Sequence, residues 1–138
     1  MVGLVLVSHS SKIADGIKDL TDQIASGHKG IIAAGGMEDG EIGTDAVRIS
    51  EAIKAANDGD GVVLLADLGS GIMSAETAIE LLDGEGIDVK LADAPIVEGA
   101  IAAAVTAACG QNMDAVIAAA EQTRTVKKIN AEFKEAGT

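Results

Sequence analysis

Two residues far apart in the chain carry side chains suited to moving a charged group. His9 follows Val2–Val7, a continuous apolar run, with only Ser8 between them. An imidazole mounted at the end of a buried strand is held rigidly and can serve as base, metal ligand or covalent nucleophile. A histidine there can equally do no more than make loop hydrogen bonds. Asp67 directly follows a second apolar run, Gly61–Ala66. A carboxylate beside an imidazole fixes its tautomer and supports positive charge on the ring. Taken alone, Asp67 can also simply turn the chain or cap the next helix. Gly69, Ser70 and Gly71 then open a helical pattern. Backbone N–H groups at a helix N-terminus bind anions, glycine permits close approach, and the Ser70 hydroxyl adds a donor. The plain alternative is a glycine turn with Ser70 as N-cap. A phosphoryl group near His9 would fit this cradle. Thr44, after Gly43, reads first as a helix cap, on a loop that flanks the same crevice and adds its hydroxyl to the phosphate-facing groups.

Other chemistries find little support. His28 is the only other histidine and falls near the end of the first helix, on the opposite edge of the sheet, where the helix dipole accounts for it. No metal site is expected. The single cysteine, Cys109, excludes an internal disulfide or a thiolate cluster and, in an Ala-rich stretch, is expected to be buried. The Walker A pattern and the Gly-x-Ser-x-Gly elbow are both missing. Gly69-x-Gly71 follows a strand, and Asp93 lies roughly 20 residues on, as a dinucleotide fingerprint asks. Its third glycine position is Ser74, however, and Asp67 would put negative charge beside the pyrophosphate.

The elements that must position these residues alternate. Short apolar runs predict strands at Val2–Val7, Ile31–Ala34, Gly61–Ala66 and Ile87–Leu91. Between them, spacings of three and four predict helices. The first is capped by Ser10 or Ser11, with Ile13, Ile17, Leu20 and Ile24 on one face. The second follows Thr44 and turns Val47, Ile49, Ala52, Ile53 and Ala56 inward; the third presents Ile72, Ala75, Ile79 and Leu82. After Pro95, a fourth places Val97, Ile101, Ala104, Val105 and Ala108 inside, and Gly110 ends it. Asn112 caps a last helix through Met113, Val116, Ile117 and Ala120, extending towards Ile129 and Phe133. Strand–helix alternation implies an α/β fold: a mostly parallel four-stranded sheet with helices on both faces and right-handed crossovers. A short chain of this kind takes the order 2-1-3-4. Its ligand crevice then lies at the C-terminal ends of strands 1 and 3, where the loops of His9 and Asp67 meet.

The chain has 138 residues, with 10 Lys and Arg against 22 Asp and Glu, a net charge of −12. That surface repels nucleic acid and anionic lipid and favours a basic protein partner. Glu38, Asp39 and Glu41 place acid on the loop beside the crevice. Aromatic residues make up 1%, which leaves no stacking platform for single-stranded nucleic acid. With no basic leader and no apolar run long enough to span a bilayer, a cytoplasmic location is expected.

Five segments carry a family resemblance: Val5-Leu-Val-Ser-His9-Ser-Ser, Gly43-Thr-Asp-Ala46, Asp67-Leu-Gly-Ser70, Ser74-Ala-Glu-Thr-Ala78 and Ala94-Pro-Ile-Val-Glu-Gly99. In this order, from Val2 to about Ala120, the chain is similar to the mannose-type IIA domains of the bacterial phosphotransferase system. Within that family it most resembles the branch serving phosphoenolpyruvate-dependent dihydroxyacetone kinases. The resemblance implies a homodimer whose histidine, here His9, is transiently phosphorylated by HPr or an HPr-like donor. Asp67 would support that ring, and Gly69, Ser70 and Gly71 would face the phosphate. The phosphoryl group would pass to ADP on the kinase subunit DhaL, acting with DhaK, without a cofactor on this chain. Residues 1–123 would form the carrier domain and 124–138, with Arg124, Lys127, Lys128 and Lys134, a basic tail that continues the last helix or links onward; some relatives carry further HPr-like or enzyme I-like domains. The alternatives are the IIA component of a mannose-type sugar transporter and a non-catalytic nucleotide-binding module.

Overall fold

The computed structural model describes residues 1–129; Phe133 and Lys134, expected in the extension and tail, lie outside the described residues. Four parallel strands, β1 (Gly3–Ser8), β2 (Ile31–Gly35), β3 (Val62–Ala66) and β4 (Val89–Leu91), form one sheet in the order β2-β1-β3-β4. The helices are α1 (Ser11–Ile24), α2 (Ala46–Ala56), α3 (Gly69–Leu81), α4 (Ile96–Ala108) and α5 (Met113–Gln122), with a short 3-10 turn at Thr123–Thr125.

Both faces of the sheet are covered, which is why its central strands read as unbroken apolar runs. Leu4, Leu6, Val63 and Leu65 point to one face and pack under α1, α4 and α5. Val5, Val7, Val62 and Leu64 point to the other, under α2 and α3. Strand alternation thus sorts one apolar run into two cores.

Helices α2, α3 and α5 turn the expected residues inward apart from Val47, but the buried faces of α1 and α4 differ from the sequence expectation. In α1 the buried side chains are Ala14, Ile17 and Thr21, whereas Ile13, Leu20 and Ile24 are about half exposed. In α4 Gly99, Ala100, Ala103, Ala104 and Ala107 are buried, while Val97 and Val105 are turned out. Val47 of α2 is likewise exposed. Close approach explains the shift. A Cβ on Gly99 would come within 2.9 Å of the Leu65 side chain, so α4 lies too near the sheet for branched residues. Apolar periodicity cannot separate a stripe of alanine from the bulkier stripe beside it. β4 is also shorter than the Ile87–Leu91 run suggested.

Three local expectations change. Asp45, not Thr44, caps α2, accepting from the Val47 N–H at 2.9 Å. Cys109 is exposed at the end of α4. His28 lies past the end of α1, buried, with Nε2 on the Val2 carbonyl at 2.8 Å and Nδ1 accepting from the Gly30 N–H at 3.0 Å. It is a strut between β1 and the start of β2, in the hydrogen-bonding pattern of a neutral ring. The cap of α1 is Ser10, as expected. Beyond α5, Arg124 reaches Asp93 at 2.8 Å and Lys128 reaches Glu98 at 3.2 Å.

Candidate active site

The site is a product of strand register. Val7 of β1 lies opposite Ala66 of β3, and the Asp67 N–H donates to the Val7 carbonyl at 3.1 Å. The next residues of each strand, Ser8 and Asp67, therefore leave the sheet side by side. From there the chain departs to α1 on one face and to α3 on the other. That divergence opens the crevice at the switch point.

His9 stands in it with its Nδ1 2.8 Å from Asp67 Oδ1. The carboxylate is held by three further donors. The Leu68 N–H donates to Oδ1 at 2.7 Å, and the His9 N–H and the Ser8 hydroxyl donate to Oδ2 at 3.1 and 2.8 Å. Burial alone would push the Asp67 carboxyl up, but the bonds from the His9 ring, the Ser8 hydroxyl and the two N–H groups outweigh it and hold it below the ordinary carboxylate range. An ionised Asp67 only accepts, so the Nδ1 of His9 donates to it, and in the neutral ring with that tautomer the lone pair is on Nε2. The ring and the carboxylate are 19% and 14% exposed, so the pair is sheltered while Nε2 faces the rim.

Opposite Nε2 is the hydroxyl of Ser70, in hydrogen-bond contact with it. Leu68 is the N-cap of α3, so Gly69, Ser70 and Gly71 form its first turn. The N–H groups of Gly69 and Ser70 have no acceptor among the described residues, whereas that of Gly71 donates to the Leu68 carbonyl at 2.8 Å. Gly71 contributes space instead. A Cβ there would stand 3.3 Å from Asp67 Oδ1 and 3.5 Å from His9 Cε1.

The loop before α2 closes the other side. The Gly43 N–H donates to the His9 carbonyl at 2.8 Å, with Gly43 at a φ of 145° that favours glycine. Next to it the Thr44 hydroxyl pairs with the Ser74 hydroxyl of α3 at 2.6 Å. Thr44 thus flanks the crevice, tied to α3. Glu38, Asp39 and Glu41 are exposed on this loop.

Of the residues singled out in the sequence, His9 is in direct contact with both Asp67 and Ser70, with Gly69 and Gly71 in the same first turn of α3 as Ser70. Two partners carried no chemical expectation. Ser8 is wholly buried against Asp67, and Ser74 holds Thr44. Ser8 was detectable in principle, because a hydroxyl ending an otherwise apolar strand needs a buried partner. Nothing in the pattern pairs Ser74 with Thr44. Among the described residues, no cluster of three or more His, Cys, Asp or Glu side chains is arranged to hold a metal, and no helix is long and apolar enough to cross a membrane.

Comparison with known proteins gives a consistent result. Residues 3–117 match the family model EIIA-man, described as the fructose IIA component of the phosphotransferase system. The chain is 43% identical over 132 residues to a Providencia stuartii protein named as the phosphoryl donor subunit DhaM of a PEP-dependent dihydroxyacetone kinase; the match covers 93% of this chain and 28% of that protein. It therefore spans little more than a quarter of that relative. A Listeria innocua protein named as the same subunit of a second such kinase is 39% identical, and the match covers 85% of this chain and 94% of the relative. Among solved structures, a protein of unknown function, EF1359, superposes with a TM-score of 0.79 at 35% identity, over 94% of this chain and 100% of that one.

Proposed function

The chain belongs to the EIIA-man family of phosphotransferase-system components, and from that premise we propose that it is a phosphohistidine carrier, the phosphoryl donor subunit of a dihydroxyacetone kinase. One observation carries the reading: Asp67 holds the Nδ1 proton of His9, which turns a free Nε2 lone pair towards Ser70 and the first turn of α3. Nε2 attacks the phosphorus of a phosphorylated histidine on HPr or an HPr-like donor. The P–N bond of the donor breaks and its electron pair returns to the donor ring. The Nδ1 proton stays in place, and Asp67 balances the positive charge that the phosphorylated ring acquires. The Ser70 hydroxyl turns from Nε2 to a phosphoryl oxygen, and the Gly69 and Ser70 N–H groups receive the others. Phosphoryl transfer asks for this positioning and charge neutralisation more than for covalent machinery.

A site at an exposed rim suits exchange between proteins. A concavity of about 620 Å³ beside β2, lined by residues including Ile32 and Arg48, contains neither His9 nor Asp67. The onward acceptor is ADP bound on a DhaL-type subunit, which with DhaK phosphorylates dihydroxyacetone in the cytoplasm. Residues 1–123 form the carrier domain, and the carrier acts as a homodimer.

Incubation with phosphoenolpyruvate, enzyme I and HPr tests the proposal. Acid-labile label mapping to His9, absent from His9→Ala with an unchanged circular dichroism spectrum, is expected. Label on His28, or none, overturns it. Release of that label to ADP only with a DhaL-type subunit separates the kinase role from that of a sugar-transporter IIA component.

A further inference from the structure

Ser8 is the only polar side chain in β1 and is 0% exposed. Its hydroxyl donates to Asp67 Oδ2 at 2.8 Å and accepts from the Ser10 N–H at 3.2 Å, while its carbonyl accepts from Gly36 at 3.1 Å. It therefore joins the end of β3, the cap of α1 and the end of β2. We infer that Ser8 is a positioning residue for phosphoryl transfer: it pins Oδ2 of Asp67 so that Oδ1 stays on the Nδ1 proton of His9. The inference rests on His9 being the phosphoryl acceptor.

The two carboxylate oxygens are equivalent by themselves, and the torsion that turns them is soft. Backbone N–H groups supply one donor to each oxygen, from Leu68 to Oδ1 at 2.7 Å and from His9 to Oδ2 at 3.1 Å, so the Oδ2 side is the weaker backbone anchor. The Ser8 hydroxyl adds the shorter bond to Oδ2 at 2.8 Å and so holds the carboxylate plane with Oδ1 on the His9 ring. Without the Ser8 hydroxyl, Oδ2 keeps one donor at 3.1 Å and the Ser10 N–H loses its acceptor. A carboxylate that turns to recover a partner from water leaves Nδ1. The His9 proton is then free to move to Nε2, and a ring protonated on Nε2 has no lone pair for phosphorus.

The test compares the parent chain with Ser8→Ala, Ser8→Cys and Ser8→Thr. Nitrogen-15 NMR of the unphosphorylated chains reads which ring nitrogen of His9 bears the proton, and quenched transfer from phosphorylated HPr reads the rate. The parent is expected in the Nδ1–H form. Ser8→Ala is expected to mix the two tautomers and to accept phosphate about tenfold more slowly, the order of effect of losing one hydrogen bond to a charged group, with the donor KM unchanged. Ser8→Thr, which keeps the hydroxyl, is expected to restore both readouts, and Ser8→Cys to fall between. Parental tautomer and rate in Ser8→Ala overturn the inference. So does a slow Ser8→Thr that keeps the parental tautomer, because packing then explains the loss. Should Ser8→Ala not fold, the same outcomes are read on Ser8→Cys. Failure of the parent to label on His9 counts against the carrier reading instead, since the tautomer measurement needs no transfer.

Discussion

The Nδ1 of His9 meets Oδ1 of Asp67 at 2.8 Å across 58 residues of sequence, and on the proposed carrier reading that contact leaves Nε2 as the nitrogen that accepts the phosphoryl group. Asp67→Ala is expected to slow acceptance about a hundredfold or more, the scale of removing one group that stabilises developing charge. Label should still appear on His9, since Asp67 makes no bond to phosphorus. Quenched transfer kinetics check this, and a parental rate would dissolve the pairing.

The same contact has a pH signature. The native Asp67 carboxyl lies below its ordinary value because its hydrogen bonds outweigh burial. A depressed native value means that the stabilisation is fully present above the unfolded value, about 3.9. It is lost as pH falls below that value and through the native one. Denaturation midpoints measured from pH 7 downwards should therefore decline more steeply below about pH 4 in the parent than in Asp67→Asn. Parallel curves would show that Asp67 gains nothing from its donors.

Gly71 separates function from stability. In the first turn of α3, alanine is a better helix former than glycine by up to about 1 kcal/mol. Its Cβ, however, would stand 3.3 Å from Asp67 Oδ1 and beside His9 Cε1. Gly71→Ala is expected to melt at or above the parental temperature while accepting phosphate several-fold more slowly. A variant that is both less stable and fully active would reverse this account.

How far the sequence reached depended on the kind of signal. Strand order and the meeting of His9 with Asp67 were legible because both follow from apolar runs and the topology they force. The inward faces of α2, α3 and α5 were legible too, but those of α1 and α4 were not, because Ala14, Thr21, Ala100 and Ala103 pack closely and carry little hydropathy signal, whereas Ile13, Leu20 and Val105 carry much and are turned out. Thr44 looked like a cap because hydroxyls favour that position. Asp45, one residue on, holds it, and this frees the Thr44 hydroxyl for Ser74. Contacts between single side chains on different elements leave no periodic trace.

That hydroxyl pair ties the Gly43 loop to α3 on the far side of His9. Thr44→Val and Ser74→Ala should each destabilise by about 1 kcal/mol, and the double variant by less than their sum, since both remove one bond. Denaturant midpoints of the three variants measure the coupling. Strict additivity would mean that the two hydroxyls do not depend on each other.

Partner approach is the remaining question, and charge bears on it directly. The chain carries a net −12, and Glu38, Asp39 and Glu41 stand exposed on the loop whose Gly43 holds the His9 carbonyl. A donor with a basic face around its own histidine would be steered towards that rim. Rim charges act chiefly on the association rate, and salt screens them over about 8 Å at physiological ionic strength. Transfer from phosphorylated HPr should therefore slow as salt rises, through the second-order rate constant. The paired substitution Glu38→Lys with Glu41→Lys should slow it further at low salt and flatten the salt dependence. The first-order step within the complex should be unchanged, because neither side chain touches His9, Asp67 or Ser70. Quenched-flow rates from low to high salt on both chains decide the matter. A flat dependence in the parent would remove steering from the mechanism and leave shape at the crevice rim as the basis of partner choice.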